Sequence, residues 1–348
     1  MKYGIITYQG IPNFGAVLQG YALCTALKKN GIDCEIIDYE CENIVKRELT
    51  YHPQKNIVKD IICRIFIWPH MKKRIIACQE FEKLFHSKIH YTKNNIKQAN
   101  LEYDGFISGS DMIWNLSVNG NDFSYFLDFV EDDKYRFSYG SSIGDQWKEK
   151  DYFRIQEYLS KYAHISVREE DTRRMIEKNF DMKCECVPDP TLLLSADEWK
   201  KKVNSVVEKN YVLVYFPYQN ILNAAKKYAK RNKKKLVVLD IGIPIKNRDY
   251  KIIYSPEEFL SYIYYADAVF TDSYHGLLYS LYFHKPVWTN NHGNRILTIL
   301  NKLNILNCFI DNDTKLENLI DYNEVDKRLQ AIRAQGVEYL KQACKEKR

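Results

Sequence analysis

The strongest constraint on the fold is a regular alternation of short apolar strands with amphipathic helices. Residues 3–8 are typical of a buried strand, and a loop containing Gly10 and Gly15 follows them. The apolar positions of residues 16–30 recur at helical spacing, and residues 34–39 form a second apolar run. Strand, helix and strand in this order make a βαβ unit, whose right-handed crossover lays down parallel strands.

The same alternation occurs in two successive series. The first series of predicted strands ends near residue 190, and a polar, lysine-rich stretch separates it from a second series that begins at residue 211. We therefore predict an α/β protein with two Rossmann-like, doubly wound domains that face a cleft. Open α/β sheets bind ligands beyond the carboxyl ends of their strands, so the site is expected between the domains.

The predicted organisation has four parts. They are an N-terminal Rossmann-like domain over 1–190 with a helical insertion over about 43–100, a linker over 191–208, a C-terminal Rossmann-like domain over 209–322, and a C-terminal helix over 323–348.

Composition narrows the class of protein. The 348 residues are 45% hydrophobic and carry a net charge of +6, which suits an anion-binding cleft or an acidic membrane surface and does not require nucleic acid. The nine scattered cysteines contain no C-x-x-C pair, which argues against a disulfide framework and a structural zinc site. We see no signal peptide and no apolar run of about 20 residues, so we expect a cytoplasmic protein.

Nucleotide-binding loops are disfavoured by the first glycine loop. NFGAVLQ, residues 13–19, joins a predicted strand to a predicted helix but lacks both the G-x-G-x-x-G pattern and the Walker lysine. Dinucleotide and P-loop nucleotide binding are therefore not expected.

A histidine at the start of a predicted helix is the first candidate for chemistry. In ADAVFTDSYHG, residues 266–276, either Asp272 or Ser273 can cap a helix that starts near His275. The free N–H groups and the dipole of such a terminus bind phosphate or carboxylate, and the histidine can add a hydrogen bond or move a proton. Gly276 would let a ligand approach closely. The alternative is a histidine that only caps a buried turn.

Two other strand ends carry candidates. Arg168 has a planar fork that can bind a carboxylate or phosphate bidentately, whereas a structural pair with Glu169 is the alternative. In GSDMIWN, residues 109–115, Asp111 could accept the proton of a sugar hydroxyl and Trp114 could stack on a pyranose ring. Capping and core packing are the alternative for this pair.

Residues 57–81 mix aliphatic, aromatic and basic side chains. They could lie on an anionic membrane interface, which would place the protein at the inner face of the membrane, or they could be helices packed on a core. The lysine run at 226–235 is interpreted as a solvated helix face.

Six motifs in this order resemble the polysaccharide pyruvyl transferase family. They are NFGAVLQGYAL, GSDMIWN, YGSSIG, SVREED, VPDPTLLL with Trp199, and ADAVFTDSYHGLLYSLYFHKPV. The resemblance extends to about residue 310 and includes Arg295 on the family's arginine-bearing helix. The chain departs from the family at Met112, where glutamine is usual, and at Tyr274, where phenylalanine is common.

This resemblance implies a GT-B-like fold and transfer of pyruvate from phosphoenolpyruvate onto a sugar as a ketal, with release of phosphate. It implies phosphoenolpyruvate as co-substrate, no other cofactor and no obligatory metal. The acceptor would be a glycan or a lipid-linked oligosaccharide in capsule or exopolysaccharide biosynthesis. A GT-B glycosyltransferase that uses a nucleotide sugar, or a non-catalytic glycan-binding relative, remains the alternative.

The resemblance also suggests roles for individual residues. His275 is the expected general acid and Asp111 the candidate base. The donor is expected to contact Arg168, Ser273, Gly276 and Arg295. The acceptor is expected to contact Asn13, Gln19 and Trp114.

Overall fold

The computed structural model of the chain describes residues 1–144, 146–206, 208–216, 219–240, 249–310, 316–317 and 319–345. The chain divides into two compact units. Unit 1 comprises Met1–Thr50, Cys78–Leu194 and Ile332–Arg348, and unit 2 comprises Tyr51–Ala77 and Ser195–Ala331.

The strands of unit 1 build a parallel sheet. They are β1 (Lys2–Ile6), β2 (Asp33–Glu40), β3 (His86–Thr92), β4 (Gly105–Ser108), β5 (Tyr135–Ser138), and the short pair β6 (Ser166–Val167) and β7 (Glu185–Cys186). Among the residues described, the main sheet has five strands in the order β3-β2-β1-β4-β5, all paired in parallel.

Unit 2 repeats this topology. Its strands are β8 (Tyr211–Tyr215), β9 (Lys235–Asp240), β10 (Tyr250–Ile252), β11 (Ala268–Thr271) and β12 (Val287–Trp288). They pair in parallel in the order β10-β9-β8-β11-β12. In both sheets the first strand in sequence lies at the centre and the chain moves outward on each side, which is the doubly wound arrangement.

The α-helices connect these strands. They are α1 (Phe14–Lys29), α2 (Glu42–Ile44), α3 (Ile57–Ile62), α4 (Trp68–Glu82), α5 (Ala99–Glu102), α6 (Leu116–Asn119), α7 (Glu149–Leu159), α8 (Glu170–Phe180), α9 (Ala196–Lys200), α10 (Gln219–Arg231), α11 (Pro256–Tyr265), α12 (Tyr274–Tyr282), α13 (Asn294–Leu303) and α14 (Tyr322–Lys345). Wide π turns occupy Val45–Leu49 and Cys63–Ile67. In the described part of the chain, no helix is long and apolar enough to cross a bilayer.

Local sequence explains where the principal helices begin. The side chain of Asn13 accepts hydrogen bonds from the backbone N–H groups of Gly15 and Ala16 and so caps α1. Ser255 and Glu258 form a capping box at α11, with Pro256 at the first helical position as the sequence indicates. Helix α1 joins the parallel strands β1 and β2, so the predicted βαβ unit at the start of the chain is confirmed.

Two edge strands are absent from the sequence-based prediction. β3, with the sequence HSKIHYT, carries three exposed residues in succession, and β10 has only three residues, all half-buried. An edge strand contacts one neighbour only, so it can be short or polar, and its apolar signal is weak.

The compact units differ from the predicted domain bounds in three segments. The predicted linker 191–208 is divided, with residues up to Leu194 in unit 1 and those from Ser195 onward in unit 2. Residues 51–77 belong to unit 2, where Arg74 Nη2 donates to the Ile253 carbonyl at 2.8 Å. The end of α14 belongs to unit 1, where the Tyr339 hydroxyl donates to the Ser138 carbonyl at 2.8 Å. Both contacts join residues far apart in sequence, so no local sequence pattern predicts them.

Candidate functional site

The N-terminus of α12 lies directly after β11, at the carboxyl edge of the unit 2 sheet. The Ser273 hydroxyl accepts a hydrogen bond from the Gly276 N–H at 3.3 Å, which makes Ser273 the cap of this nine-residue helix. His275 lies in the first turn and is half-buried. A helix terminus of this kind carries a partial positive charge and attracts anions.

Asp272, the other capping candidate, has a structural role. Its carboxylate is buried and accepts hydrogen bonds from the Asn290 backbone N–H at 2.8 Å and from the Thr289 hydroxyl at 3.4 Å. Of the two alternatives from the sequence, Ser273 caps the helix, and Asp272 holds the loop that follows β12.

That loop is fixed by further hydrogen bonds. The Asn291 amide donates to the Asp272 carbonyl at 2.7 Å, and the Asn291 side-chain oxygen accepts from the Gly293 N–H at 2.7 Å. Helix α13 begins immediately after Gly293. The start of α13 is therefore positioned against the start of α12.

This arrangement brings two basic side chains to the same aromatic ring. The Arg295 guanidinium lies over the ring of Tyr274, 4.6 Å from its centroid, and the His275 ring meets Tyr274 edge to face with centroids 5.3 Å apart. Arg295 and His275 are both half-buried. We call Ser273, Tyr274, His275 and Arg295 the α12 cluster. It combines a helix N-terminus, a guanidinium and an imidazole, which is a donor set suited to a small anion.

The lack of a side chain at Gly276 allows close packing of α12 on the sheet, whereas the sequence suggests that it lets a ligand approach. It is buried, and a Cβ atom there would lie 2.6 Å from the Thr271 hydroxyl and 3.2 Å from Cδ1 of Tyr215. The missing side chain lets α12 lie close to the sheet. The packing of α12 on the sheet accounts for the missing side chain at Gly276, and the prediction that Gly276 contacts the donor stays a prediction.

Arg168 is held by carboxylates, which favours the structural ion pair over the predicted bidentate contact with a ligand. Nε donates to Glu169 Oε1 at 3.1 Å, and Nη1 donates to Asp189 Oδ2 at 2.8 Å. The Arg168 side chain is 6% exposed and that of Asp189 is fully buried. Only Nη2, which is buried, makes no hydrogen bond within the described residues.

The charge around Arg168 is negative overall. Burial alone would lower its pKa, but the carboxylates of Glu169, Asp189 and Asp111 outweigh burial and raise the pKa. Three carboxylates around one guanidinium disfavour a doubly charged anion. The sequence predicts the Glu169 pair as an alternative but misses Asp189, which lies in the VPDPTLLL motif.

Asp111 lies at the carboxyl end of β4 in an unusual backbone conformation. Its φ of 75° is in the left-handed region, which aspartate tolerates better than most residues. The half-buried side chain accepts from the Met112 N–H at 2.8 Å, and the Asp111 carbonyl accepts from the Ser142 N–H at 2.9 Å. Strained residues of this kind concentrate at functional sites. Because the Asp111 carboxylate is one of the three that raise the pKa of Arg168, Asp111 and Arg168 belong to one polar cluster in unit 1.

Two of the three predicted acceptor residues are core residues, which corrects their predicted role. Trp114 is fully buried, and its indole N–H donates to the Ser108 hydroxyl and the Tyr125 carbonyl, both at 3.0 Å. Gln19 is 1% exposed, and its amide donates to Thr7 Oγ1 at 3.0 Å. Neither side chain can reach a sugar in this arrangement.

Asn13, the third, is exposed, and its side-chain oxygen caps α1. The prediction that Asn13 contacts the acceptor stays a prediction.

A cavity of about 180 Å³ lies beside the loops that follow β4 and β5. Its lining includes Asn115, Ser117, Trp147, Lys148 and Lys150. Amide, hydroxyl and aromatic groups together are typical of a polyol site, so this cavity is a better candidate for the acceptor sugar than the ring of Trp114.

Two titratable groups of unit 1 have shifted pKa values: the buried Glu82, which contacts the loop after β1, and the half-buried His86 at the start of β3. Glu82 is 2% exposed and accepts from the Gly10 N–H at 2.6 Å. Burial raises the pKa of Glu82 to about 8 and lowers the pKa of His86 to about 4. The sequence gives no signal for either, because a glutamate in an amphipathic helix normally indicates a solvated position.

We expect stability to fall as pH rises from about 6.5 to 8. The folded chain keeps the Glu82 proton that the unfolded chain has released, so the free energy of unfolding drops by about 1.4 kcal/mol per pH unit. Below about pH 6.5 the effect of His86 is opposite, because the unfolded chain binds a proton there that the folded chain excludes.

Urea unfolding at several pH values measures this slope. Glu82→Gln keeps an acceptor for Gly10 and should remove the slope, whereas Glu80→Gln, on the exposed side of the same helix, should retain it. An unchanged slope in Glu82→Gln would show that another group titrates.

No group of three or more His, Cys, Asp or Glu side chains that could hold a metal ion occurs within the described ranges.

Comparisons with known proteins bear on both sequence and fold. The family model for polysaccharide pyruvyl transferase matches residues 13–289. A comparison with curated proteins gives no match.

Solved structures with the same fold include two UDP-GlcNAc 2-epimerases and a glucosyltransferase. The putative UDP-N-acetylglucosamine 2-epimerase from Listeria monocytogenes is 11% identical, with a TM-score of 0.53 over 99% of this chain and 95% of that chain. The UDP-GlcNAc 2-epimerase from Methanocaldococcus jannaschii is 12% identical, with a TM-score of 0.51 over 99% of both chains. An α-glucosyltransferase in complex with UDP and DNA is 10% identical, with a TM-score of 0.50 over 99% and 95%. These identities show the fold alone, and the predicted GT-B-like pair of Rossmann-like domains is confirmed.

Proposed function

The chain belongs to the polysaccharide pyruvyl transferase family, and we propose on that premise that it transfers pyruvate from phosphoenolpyruvate to a sugar. The sugar would be part of a polysaccharide or its precursor, and the product would be a cyclic ketal. The observation that carries this proposal is the α12 cluster, where a capped helix terminus, Arg295 and His275 meet at one ring.

The charges of the donor match this cluster. Phosphoenolpyruvate has a phosphate and a carboxylate, and helix N–H groups and a guanidinium bind such groups with short, charge-assisted hydrogen bonds. We assign the phosphate to the helix terminus and Arg295. His275, in the first turn of the same helix, is then our candidate for the proton donor to the enol part of phosphoenolpyruvate.

The reaction needs one acid and one base. A proton from His275 adds to the methylene carbon, which becomes a methyl group, and the first sugar hydroxyl oxygen bonds to C2 as its proton is removed. The second hydroxyl oxygen then bonds to C2 while the bond from C2 to the phosphate oxygen breaks, and the proton of this hydroxyl leaves with the phosphate. General acid or base catalysis contributes about 10²–10⁴-fold at each such step.

Asp111 remains our candidate for the base on the acceptor. It lies at the carboxyl end of β4 with a half-buried carboxylate, and the cavity beside Asn115 and Trp147 is the acceptor site that we propose. Nonpolar and amide groups there would hold the sugar ring, and the lysines would favour an acidic or phosphorylated acceptor.

A glycosyltransferase that uses a nucleotide sugar is the second candidate. The similar α-glucosyltransferase structure is a complex with UDP, and the fold is shared. Phosphate release separates the two: the protein is incubated with phosphoenolpyruvate and a panel of glycans, and in parallel with UDP-sugars. Glycan-dependent release of phosphate and a pyruvylated product are expected. Sugar transfer from UDP-sugars without phosphate release would overturn the proposal.

A further inference from the structure

Helix α3 and the π turn after it turn their apolar side outward. Six large apolar side chains are 47–77% exposed. These residues, which we call the 57–66 face, are Ile57, Val58, Ile61, Ile62, Ile65 and Phe66. The residues on the inner side, Asp60, Cys63 and Ile67, are half-buried. A helix on a soluble protein normally has the opposite orientation, and clustered exposed apolar side chains mark an interaction surface.

Polar contacts hold the helix in this orientation. The Tyr51 hydroxyl donates to Asp60 Oδ1 at 2.6 Å, and the Gln54 N–H donates to the same oxygen at 2.7 Å. Arg64 pairs with the other Asp60 oxygen at 3.3 Å. These bonds hold the polar side of the helix against its neighbours in residues 51–64 and leave the 57–66 face exposed.

Helix α4, which follows, joins the segment to the rest of unit 2. The His70 ring nitrogen lies 2.6 Å from the Tyr254 hydroxyl, and both Nε and Nη2 of Arg74 donate to the Ile253 carbonyl. The exposed 57–66 face therefore lies on a segment that is hydrogen-bonded to the rest of unit 2.

The positive charge of residues 51–77 indicates which kind of partner the 57–66 face binds. Residues 51–77 contain six Lys and Arg residues and one acidic residue, Asp60, whose carboxylate is already engaged. Lys55, Lys59, Lys72 and Lys73 are exposed. A second copy of this chain would oppose like charges across such a contact. An anionic surface with an apolar interior matches both the cations and the apolar side chains.

We propose that the 57–66 face binds the surface of a bilayer that contains anionic phospholipid. The helix lies in the plane of the interface, its apolar side chains enter the boundary between headgroups and acyl chains, and the flanking lysines contact lipid phosphates. Phe66 and the half-buried Trp68 lie at the end of this face. Aromatic side chains are enriched at membrane–water interfaces. This binding goes beyond the pyruvyl transfer proposed above and does not depend on it.

Co-sedimentation of the full chain with lipid vesicles tests this proposal. We expect binding to vesicles of phosphatidylcholine with phosphatidylglycerol, weaker binding to phosphatidylcholine alone, and loss of binding as salt is raised. Each Lys or Arg near an anionic surface contributes about fivefold to binding. The double variant Lys55→Glu/Lys59→Glu should therefore bind at least tenfold more weakly, whereas Lys226→Glu/Lys227→Glu on α10 should bind like the wild type.

A second pair of variants tests the apolar face. Ile61→Ser/Ile65→Ser/Phe66→Ser removes exposed side chains, so the unfolding midpoint should stay unchanged while vesicle binding falls at least tenfold. Leu101→Ser/Phe153→Ser removes side chains that are 87% and 82% exposed in unit 1 and is the matched control. Absence of binding to anionic vesicles at low salt would overturn the proposal, as would full binding by the triple variant. A dimer that the triple variant disperses, without vesicle binding, would assign the face to a second copy.

Discussion

Replacing His275 with alanine should lower the rate of pyruvate transfer by about 10²–10⁴-fold, which is the usual contribution of a positioned acid. The α12 cluster places this imidazole in the first turn of a capped helix, beside Tyr274 and close to Arg295. Since the proton is needed in the transition state, the loss should appear in kcat more than in KM for phosphoenolpyruvate. His275→Gln keeps a hydrogen-bond donor but cannot transfer a proton at neutral pH, so it should lose nearly as much.

A control for this experiment lies near the other end of the same helix. His284 follows the C-cap of α12, is exposed, and pairs with Asp326 at 3.0 Å. Its backbone is in the left-handed region, with φ 52°, so asparagine is the suitable replacement. His284→Asn should transfer pyruvate at the wild-type rate. A His275→Ala protein within about threefold of wild type would show that another group supplies the proton.

The second large effect concerns stability. Arg168→Ala should lower the free energy of unfolding by about 3–5 kcal/mol, because it leaves the fully buried carboxylate of Asp189 without its cation. Arg168→Lys should recover part of the loss, since an ammonium restores the charge but cannot donate to Glu169 and Asp189 in the geometry of a fork. Urea unfolding measures both changes.

The neighbouring helix provides a matched comparison. Arg173 pairs with Glu170 and Glu177 on the surface of α8, and exposed pairs of this kind contribute little to stability. Arg173→Ala should unfold almost like the wild type. If Arg168→Ala were equally stable but bound phosphoenolpyruvate more weakly, Arg168 would be a ligand contact after all.

Features that depend on adjacent residues could be predicted from the sequence. The strand, Ser273 and His275 follow one another within a few positions, so the capped helix can be read from local pattern. The two doubly wound sheets follow in the same way from the alternation of strands and helices.

Features set by tertiary contacts could not be predicted. Asp189 meets Arg168 because the short strands β6 and β7 pair with Val167 opposite Cys186, and two-residue strands carry no readable register. Trp114 follows a strand, where a ring can point outward or inward, and its bonds to Ser108 and Tyr125 turn it inward. In each case the deciding partner lies outside any local window.

The most direct test of the account is calorimetric titration of phosphoenolpyruvate into the wild type and into Arg295→Met. The account predicts binding by the wild type and affinity lower by about tenfold to a hundredfold in Arg295→Met, the loss expected for one hydrogen bond to a charged group. UDP-GlcNAc should give no heat of binding. Equal affinity in the two proteins, or binding of UDP-GlcNAc but not of phosphoenolpyruvate, would contradict the claim that the α12 cluster is the donor site.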